Sequence, residues 1–182
     1  FETWETLLEK PALGEVALVC TQDWQHTAPA VAAMQAGYHV LLEKPMANKL
    51  EECKLLVKTS QETQRQLQIC HVLRYTEHFK KLKELVQSGV LGQIVQVDHR
   101  ENVSFWHMAH SYVRGNWRDQ GESSPMILAK CCHDLDILPW MLGQKPVKLA
   151  SVGSLMHFKP ENAPEGAPQH CLDGCPAAET CP

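Results

Sequence analysis

The sequence predicts an α/β fold, in which a parallel sheet in the first part of the chain is followed by a second α/β unit. Three observations support this prediction: short apolar runs alternate with helical segments as far as Leu73, the pattern changes after Arg74-Tyr75, and the tripeptide Glu43-Lys44-Pro45 closes the second apolar run. An order of strand, helix, strand, helix, strand requires right-handed crossovers and a parallel sheet. We therefore expect an architecture of the dinucleotide-binding type.

The elements of the first part follow from the apolar pattern. Val16–Cys20 is a continuous apolar run, as expected of a strand buried on both faces. Gly37 is a suitable C-terminal cap for the helix before it. The predicted elements are helices over Thr3–Glu9, Gln25–Ala36 and Leu50–Thr63, and strands over Val16–Cys20, His39–Leu42 and Leu67–Leu73.

The second part has a different pattern. Its residues predict a helix over Glu77–Gln87, a half-exposed strand over Gln93–Glu101, a long helix over Pro125–Leu142 and a strand over Lys148–Phe158. The tail from Pro160 is rich in Pro, Gly and Cys and predicts a loop.

Composition and charge argue against several classes of protein. The chain has 182 residues, of which 44% are hydrophobic and 21% charged, as in ordinary globular proteins. A net charge of −4 argues against nucleic acid as a partner, and no apolar run approaches the roughly 20 residues that span a bilayer. Because the N-terminus lacks the pattern of a signal peptide, we expect a cytoplasmic protein with no membrane or nucleic-acid partner.

Lys44 is the first candidate for chemistry. A lysine after a buried parallel strand projects from the edge of the sheet where cofactor and substrate meet in open α/β folds. Pro45 biases it towards an extended conformation, and an amine held there suits proton transfer or electrostatic stabilisation. The alternative is an ordinary surface turn.

Five motifs in order resemble the Gfo/Idh/MocA family, named for glucose–fructose oxidoreductase and inositol dehydrogenase. They are Thr21-Gln22-Asp23-Trp24-Gln25-His26, the segment from Gly37 to Pro45, Arg74-Tyr75, Gly89-Val90-Leu91-Gly92-Gln93-Ile94, and His133-Asp134-Leu135-Asp136. The resemblance implies a partial Rossmann-type NAD(P)-binding domain over residues 1–73. Residues 74–182 would then form part of an α+β substrate and oligomerisation domain, and the complete protein would be a homo-oligomer.

The resemblance and the residue types together define an expected site with NAD or NADP as cofactor. Lys44 and His133 are the expected catalytic residues. The expected cofactor-binding residues are Thr21, Gln22, His26, Glu43, Lys44, Pro45, Arg74, Trp117 and Arg118, and the expected substrate-binding residues are His110, Arg114, Lys130 and Asp136. Several of these residues have a structural alternative: a satisfied core histidine for His133, a helix-start histidine with no role for His26, a structural cap or ion pair for Asp136, and a packed loop that holds two domains together for the segment containing Trp117.

Two departures from the family pattern bear on activity. The sequence contains no G-x-G-x-x-G phosphate loop, and it begins at Phe1, so we expect roughly 40–60 residues to precede it and expect the chain alone to bind dinucleotide poorly. The other departure is Ala129, which stands where many family members carry an aspartate one turn before the histidine. A proton relay would then run through Lys130 or Asp136.

The C-terminal cysteines allow two interpretations. Cys171, Cys175 and Cys181, with His170 beside them, offer a ligand set that suits zinc, and Cys131-Cys132 could contribute to it. The spacing differs from the common C-x2-C pair, and ordinary thiols are the alternative.

The sequence thus predicts an NAD(P)-dependent oxidoreductase that acts on the hydroxyl of a small-molecule sugar, cyclitol or related polyol. A redox-assisted glycosidase of the same family is one alternative. A non-catalytic binding or scaffold protein is another, favoured by Ala129, the absent glycine loop and the cysteine tail.

Overall fold

Parallel strands form the centre of the N-terminal half. The computed structural model describes residues 1–181 and contains, within them, β1 (Val16–Val19), β2 (His39–Leu42) and β3 (Leu67–Ile69) in that spatial order. Both strand pairs are parallel. The predicted α/β class and parallel sheet are confirmed.

Three helices belong to this half: α1 (Trp4–Leu8), α2 (Thr27–Gln35) and α3 (Leu50–Thr63). α2 begins two residues later than predicted, because a separate 3₁₀ turn over Asp23–Gln25 precedes it. Gly37 has φ of +96°, a conformation that side chains disfavour, and it follows α2 as the predicted cap.

The sheet is covered on one face, which corrects the prediction that β1 is buried on both. Right-handed crossovers between successive neighbouring strands place α2 and α3 on the same side of the sheet. Side chains of alternate residues therefore differ in burial: Val19 lies in the core, whereas Leu18 is 67% exposed. The buried core consists of Val19, Ala30, Ala33, Met34, Tyr38, Val40, Leu42, Ala47 and Leu56.

The carboxyl ends of the strands lie at one edge of the sheet. β3 ends at Ile69, earlier than the predicted Leu73, and a 3₁₀ turn over Val72–Tyr75 follows. Cys70 and His71 therefore lie beyond the strand, in the connection that leads to α4 (Glu77–Gln87).

The remaining α-helices of residues 1–181 are α5 (Phe105–Met108), α6 (Met126–Ala129) and α7 (Cys132–Leu142); a π-helical turn over Ala109–Val113 continues α5, and a 3₁₀ turn lies over Pro160–Asn162. The predicted continuous helix over Pro125–Leu142 is thus wrong, because the chain turns at Lys130 and Cys131 between α6 and α7. In the described part of the chain, no helix is both long and apolar enough to cross a membrane.

The predicted strands over residues 93–101 and 148–158 are also wrong. Within residues 1–181 neither segment pairs with another strand. An extended segment becomes a strand by hydrogen bonding to a neighbour, and alternation in the sequence does not supply that neighbour. Val95 is accordingly 93% exposed, and His99 and Glu101 contact residues around α7 instead.

Candidate active site

Loops from the ends of β2 and β3 meet residues of α6 and α7, and the loop after β1 is joined to the loop after β2. The loop after β1 contains Thr21 and Gln22, the loop after β2 contains Lys44, and the loop after β3 contains His71. In open parallel sheets this edge is the place where ligands bind.

His26 joins the first two of these loops. Its side chain is 1% exposed, with Nδ1 2.8 Å from the carbonyl oxygen of Pro45 and Nε2 3.1 Å from that of Thr21. A buried ring that contacts two main-chain carbonyls holds the loops together. His26 therefore positions this edge of the sheet and is enclosed by protein.

Lys44 extends from the end of β2 to the second half of the chain. Its Nζ donates a 3.0 Å hydrogen bond to the carbonyl oxygen of Ala129, at the end of α6. Its main-chain N–H donates to Glu43 Oε2 at 3.1 Å, and the Lys44–Pro45 peptide bond is cis. An ammonium has three hydrogens, so this bond leaves two for another acceptor.

His133 lies in the first turn of α7, half-buried, close to Lys44. Burial lowers the pKa of His133 below its ordinary value of 6.5, and the positive charges of Lys44 and His71 lower it further. Its Nδ1 is buried and has no hydrogen-bond partner among the described residues. The neutral form, which can accept a proton, is therefore favoured near neutral pH.

His71 belongs to this cluster, although the sequence analysis did not select it. Its ring meets the ring of His133 edge to face, with centroids 6.2 Å apart and planes at 79°. Its Nε2 lies 3.7 Å from Asp136 Oδ1. Burial lowers the pKa of His71, while the carboxylate of Asp136 acts in the opposite direction.

Arg74 and Asp136, predicted for cofactor and substrate respectively, bind each other. Arg74 donates two hydrogen bonds to the Asp136 carboxylate, from Nε at 2.7 Å and from Nη2 at 2.5 Å. This bidentate pair joins the turn after β3 to α7. The hydrogen bond to Asp136 raises the pKa of Arg74, and the guanidinium lies 5.9 Å from the centre of the Trp140 ring.

Two further polar contacts attach the 98–101 segment to Lys130, in the turn between α6 and α7, and to Asp134 on α7. Lys130 donates to Glu101, and this bond raises the pKa of Lys130. The buried Asp134 carboxylate lies 2.5 Å from His99 Nε2. The Lys130 amine is therefore bound to Glu101 in this structure, and the relay through it stays a prediction.

The aromatic segment contributes one contact to the strand ends. Trp117 Nε1 donates to Asp23 Oδ2 at 3.3 Å, and Asp23, which is 4% exposed, has a second carboxylate oxygen that is buried and without a partner among the described residues. Thr21 is exposed and Gln22 half-buried. Arg118 is exposed and lines a shallow surface hollow with Trp24 and Lys49.

His110 and Arg114 lie apart from the cluster. His110 is exposed on the π-helical turn, and among the described residues its side chain makes no hydrogen bond or ring contact with Lys44 or His133. Arg114 Nη1 lies 3.6 Å from Cys181 Sγ, beside a cavity of about 630 Å³ under the C-terminal tail. Within residues 1–181 the structure brings together no three metal-ligating side chains, so the zinc hypothesis gains no support.

The residues at the strand ends fit the reactive part of a nicotinamide dinucleotide. Buried polar atoms without partners in the described chain, Asp23 Oδ1, His71 Nδ1 and His133 Nδ1, belong to residues around this edge. The 182 residues include no G-x-G-x-x-G loop, which in such folds binds the pyrophosphate. The described residues thus offer polar groups to a nicotinamide at this edge, and the 182-residue sequence lacks the usual phosphate-binding loop.

Fold and site together define an α/β protein of the dinucleotide-dependent oxidoreductase type. Residues 1–71 match an oxidoreductase family described by its NAD-binding Rossmann fold, and residues 83–174 match the C-terminal alpha/beta domain of the same family. The chain belongs to the Gfo/Idh/MocA oxidoreductase family, as its motifs predict. The predicted nicotinamide cofactor agrees with the NAD-binding description of that family.

Three related proteins are between 20% and 28% identical in sequence to this chain. The chain is 28% identical over 138 residues to inositol 2-dehydrogenase of Salmonella typhimurium, covering 74% of this chain and 38% of that protein. It is 27% identical over 149 residues to 2,7-anhydro-N-acetylneuraminate hydratase of Escherichia coli, covering 81% and 39%. Its fold resembles myo-inositol 2-dehydrogenase of Lactobacillus plantarum, with a TM-score of 0.67, 20% identity, and 81% and 42% of the two chains covered.

The chain therefore spans about two fifths of the length of these curated relatives.

Proposed function

We propose that the protein is an NAD(P)-dependent dehydrogenase or reductase that acts on the hydroxyl-bearing carbon of a sugar, cyclitol or related polyol. The observation that carries this proposal is the approach of Lys44, from the end of β2, to the turn before His133 on α7. An amine and a low-pKa imidazole at the ligand-binding edge of a parallel sheet are the groups that oxidation of an alcohol requires. Family membership and the inositol dehydrogenase relative support the same reaction class.

The two side chains have separate tasks in this proposal. When bound, the nicotinamide accepts or gives the hydride. His133, neutral because its pKa is lowered, takes the proton that leaves the substrate hydroxyl. Lys44 donates a hydrogen bond to the same oxygen and stabilises the negative charge that develops there, while its bond to the Ala129 carbonyl keeps the amine in place.

A reaction without net turnover of the cofactor is a second candidate. The relative from Escherichia coli is named a hydratase of an anhydro sugar, and a redox-assisted glycosidase would use the same two groups through a transient oxidation. Both candidates need Lys44 and His133. They differ in whether NADH accumulates.

The deciding experiment measures NADH release. The chain would be extended to the length of its relatives, with a βαβ unit that carries a glycine-rich phosphate loop at its N-terminus, and then mixed with NAD⁺ or NADP⁺ and inositols, aldoses or glycosides. A rise in absorbance of reduced nicotinamide that depends on a polyol supports the dehydrogenase. Product formation from a glycoside or anhydro sugar with no net NADH would favour the second candidate, and neither reaction would contradict both.

Three predictions about the whole protein stay part of the proposal. Residues 1–73 and 74–182 act as cofactor-binding and substrate domains, the protein is a homo-oligomer, and its location is cytoplasmic. The exposed apolar side chains of the 148–158 segment, such as Val152, are consistent with further contacts in a larger assembly.

A further inference from the structure

The rings of His71 and His133 form a contact that the proposed mechanism uses only in part. His71 follows β3 and His133 begins α7, and their rings meet edge to face at 6.2 Å. Each ring has a buried Nδ1 without a hydrogen-bond partner among the described residues. Two titratable groups in such contact do not take up protons independently.

The surroundings of the two rings are unequal. His71 faces the carboxylate of Asp136, with Nε2 3.7 Å from Oδ1, and Arg74 holds that carboxylate with two hydrogen bonds. A nearby carboxylate favours the charged form of an imidazole, although Arg74 offsets part of this effect.

His133 has mainly positive neighbours. Lys44 approaches from the loop after β2, His71 from the connection after β3, and Lys130 from the turn before α7; all three disfavour its protonation. Asp134 favours protonation of His133, but its carboxylate is bound to His99. The remaining neighbour, the Cys132 thiol, has a pKa that burial raises, so it is uncharged near neutral pH.

We propose that His71 is a positioning residue for His133: it holds the ring edge to face and takes the first proton that the pair binds, so that His133 stays unprotonated as pH falls. Ala129, one turn before His133, has no carboxylate that could perform this task. Burial lowers the pKa of both rings, and the difference between their neighbours sets the order of protonation. Its value to catalysis rests on the proposed function, in which His133 is the base.

The test is an NMR titration of the histidine ring protons in the unaltered 182-residue chain, from about pH 8 to about pH 5, around the ordinary histidine range. The variants His71→Asn and His133→Asn assign the two signals by their disappearance. We expect His71 to titrate at the higher pH. The chemical shift of His133 should show a second inflection at the pKa of His71. Both curves are measured on the unaltered chain, and the variants serve only to assign the signals.

Two substitutions then move the pKa values in defined directions. His71→Asn should raise the pKa of His133, because it removes a positive neighbour, and Asp136→Asn should lower the pKa of His71, because it removes the carboxylate. His78→Asn is the matched control, since His78 is exposed on α4 and contacts Phe79 rather than the cluster; it should move neither value. If the role of His71 were purely structural, His71→Asn would lower the free energy of unfolding and leave the pKa of His133 unchanged.

The outcome separates this proposal from the proposed function. Protonation of His133 before His71, or a His133 curve that His71→Asn leaves unchanged, would overturn the positioning role whether or not the protein oxidises polyols. If His71 is protonated before His133 and no polyol is oxidised, the proposed function is wrong, whereas the positioning role of His71 is supported. In an active extended protein, His71→Asn should also move the acidic limb of kcat/KM to higher pH.

Discussion

Lys44 Nζ donates its hydrogen bond to the carbonyl oxygen of Ala129, a residue 85 positions further along the chain. The contact joins the end of a strand in the sheet to the end of α6, just before the turn that leads to His133. A main-chain carbonyl is present whatever side chain stands at position 129. The amine is therefore held near His133 even though this chain carries alanine there.

Lys44→Met should abolish turnover of the extended protein while its affinity for nicotinamide dinucleotide stays within a few-fold. The substitution keeps an apolar stem of similar length and removes the charge that acts on the substrate oxygen. The measurement is kcat together with a calorimetric titration of NADH.

His133→Asn should lower the rate by roughly 10²–10⁴-fold, as expected for loss of a general base.

Near-normal turnover of Lys44→Met would contradict the assignment of Lys44 as catalytic. A silent His133→Asn with an inactive Lys44→Met would leave Lys44 in place and require another base. His78→Asn, on the exposed face of α4, is the control that should retain activity.

Arg74→Lys should destabilise the protein, because lysine cannot form the two parallel hydrogen bonds that Arg74 makes to Asp136. The side chain of Asp136 is 12% exposed, so its carboxylate is poorly solvated when the pair is broken. We expect a loss of about 1–3 kcal/mol in the free energy of unfolding, measured by urea denaturation.

Arg100→Lys is the matched control for that change. Arg100 lies 3.5 Å from Asp98 in an ion pair whose side chains are 78% and 67% exposed. Such pairs contribute little, so the variant should stay within about 0.5 kcal/mol of the parent. Equal effects at positions 74 and 100 would show that the bidentate pair does not join the two halves of the chain.

The sequence was sufficient to predict those features that local pattern determines. The bounds predicted for β1 and β2 from their apolar runs, and for α3 from its amphipathic pattern, agree with the observed bounds to within one residue. Burial on one face depends instead on which side the crossovers place the helices, and that is a property of the whole sheet. The same limit explains the two wrong strands, since alternation in residues 93–101 says nothing about whether a partner strand is present.

The candidate site was predictable in part for a related reason. Lys44 follows a strand whose end is clear in the sequence, and so it was selected. His71 was missed because the predicted third strand ran to Leu73 and enclosed it, whereas β3 ends at Ile69. The pairing of Arg74 with Asp136 joins two predicted ligand-binding residues that are far apart in sequence, and a one-dimensional pattern cannot show such a pair.

His26→Ala should loosen the ligand-binding edge of the sheet. The buried ring contacts the carbonyl oxygens of Pro45 and Thr21, and its removal leaves a cavity and at least one buried carbonyl without its donor. We expect a loss of about 1–3 kcal/mol from the polar contacts, with a further loss from the cavity. Amide hydrogen exchange should rise in the loops after β1 and β2 but not in α4; unchanged exchange in those loops would contradict the joining role.

Stability should fall as pH is lowered below about 6.5, and His71 and His133 should account for part of that fall. Burial lowers the pKa of both residues in the folded chain below the ordinary value of 6.5. Between these lowered pKa values and 6.5, the unfolded chain binds more protons than the folded chain. The free energy of unfolding therefore rises with pH in that range and falls as pH decreases towards the lowered values. The contribution is complete above pH 6.5 and is lost as pH falls through the pKa values of the folded state. Urea denaturation at a series of pH values measures the slope.

The double variant His71→Asn/His133→Asn should show a shallower pH dependence over that window than the unaltered chain, because asparagine does not titrate. His78→Asn should retain the original slope, since His78 is exposed. The sign is the decisive feature: stability that increases as pH falls from 7 to 5 would require histidines that gain protons on folding. If the double variant abolished that increase, at least one of the two rings would be charged in the folded protein, and a charged His133 could not serve as the base that takes the proton from a substrate hydroxyl.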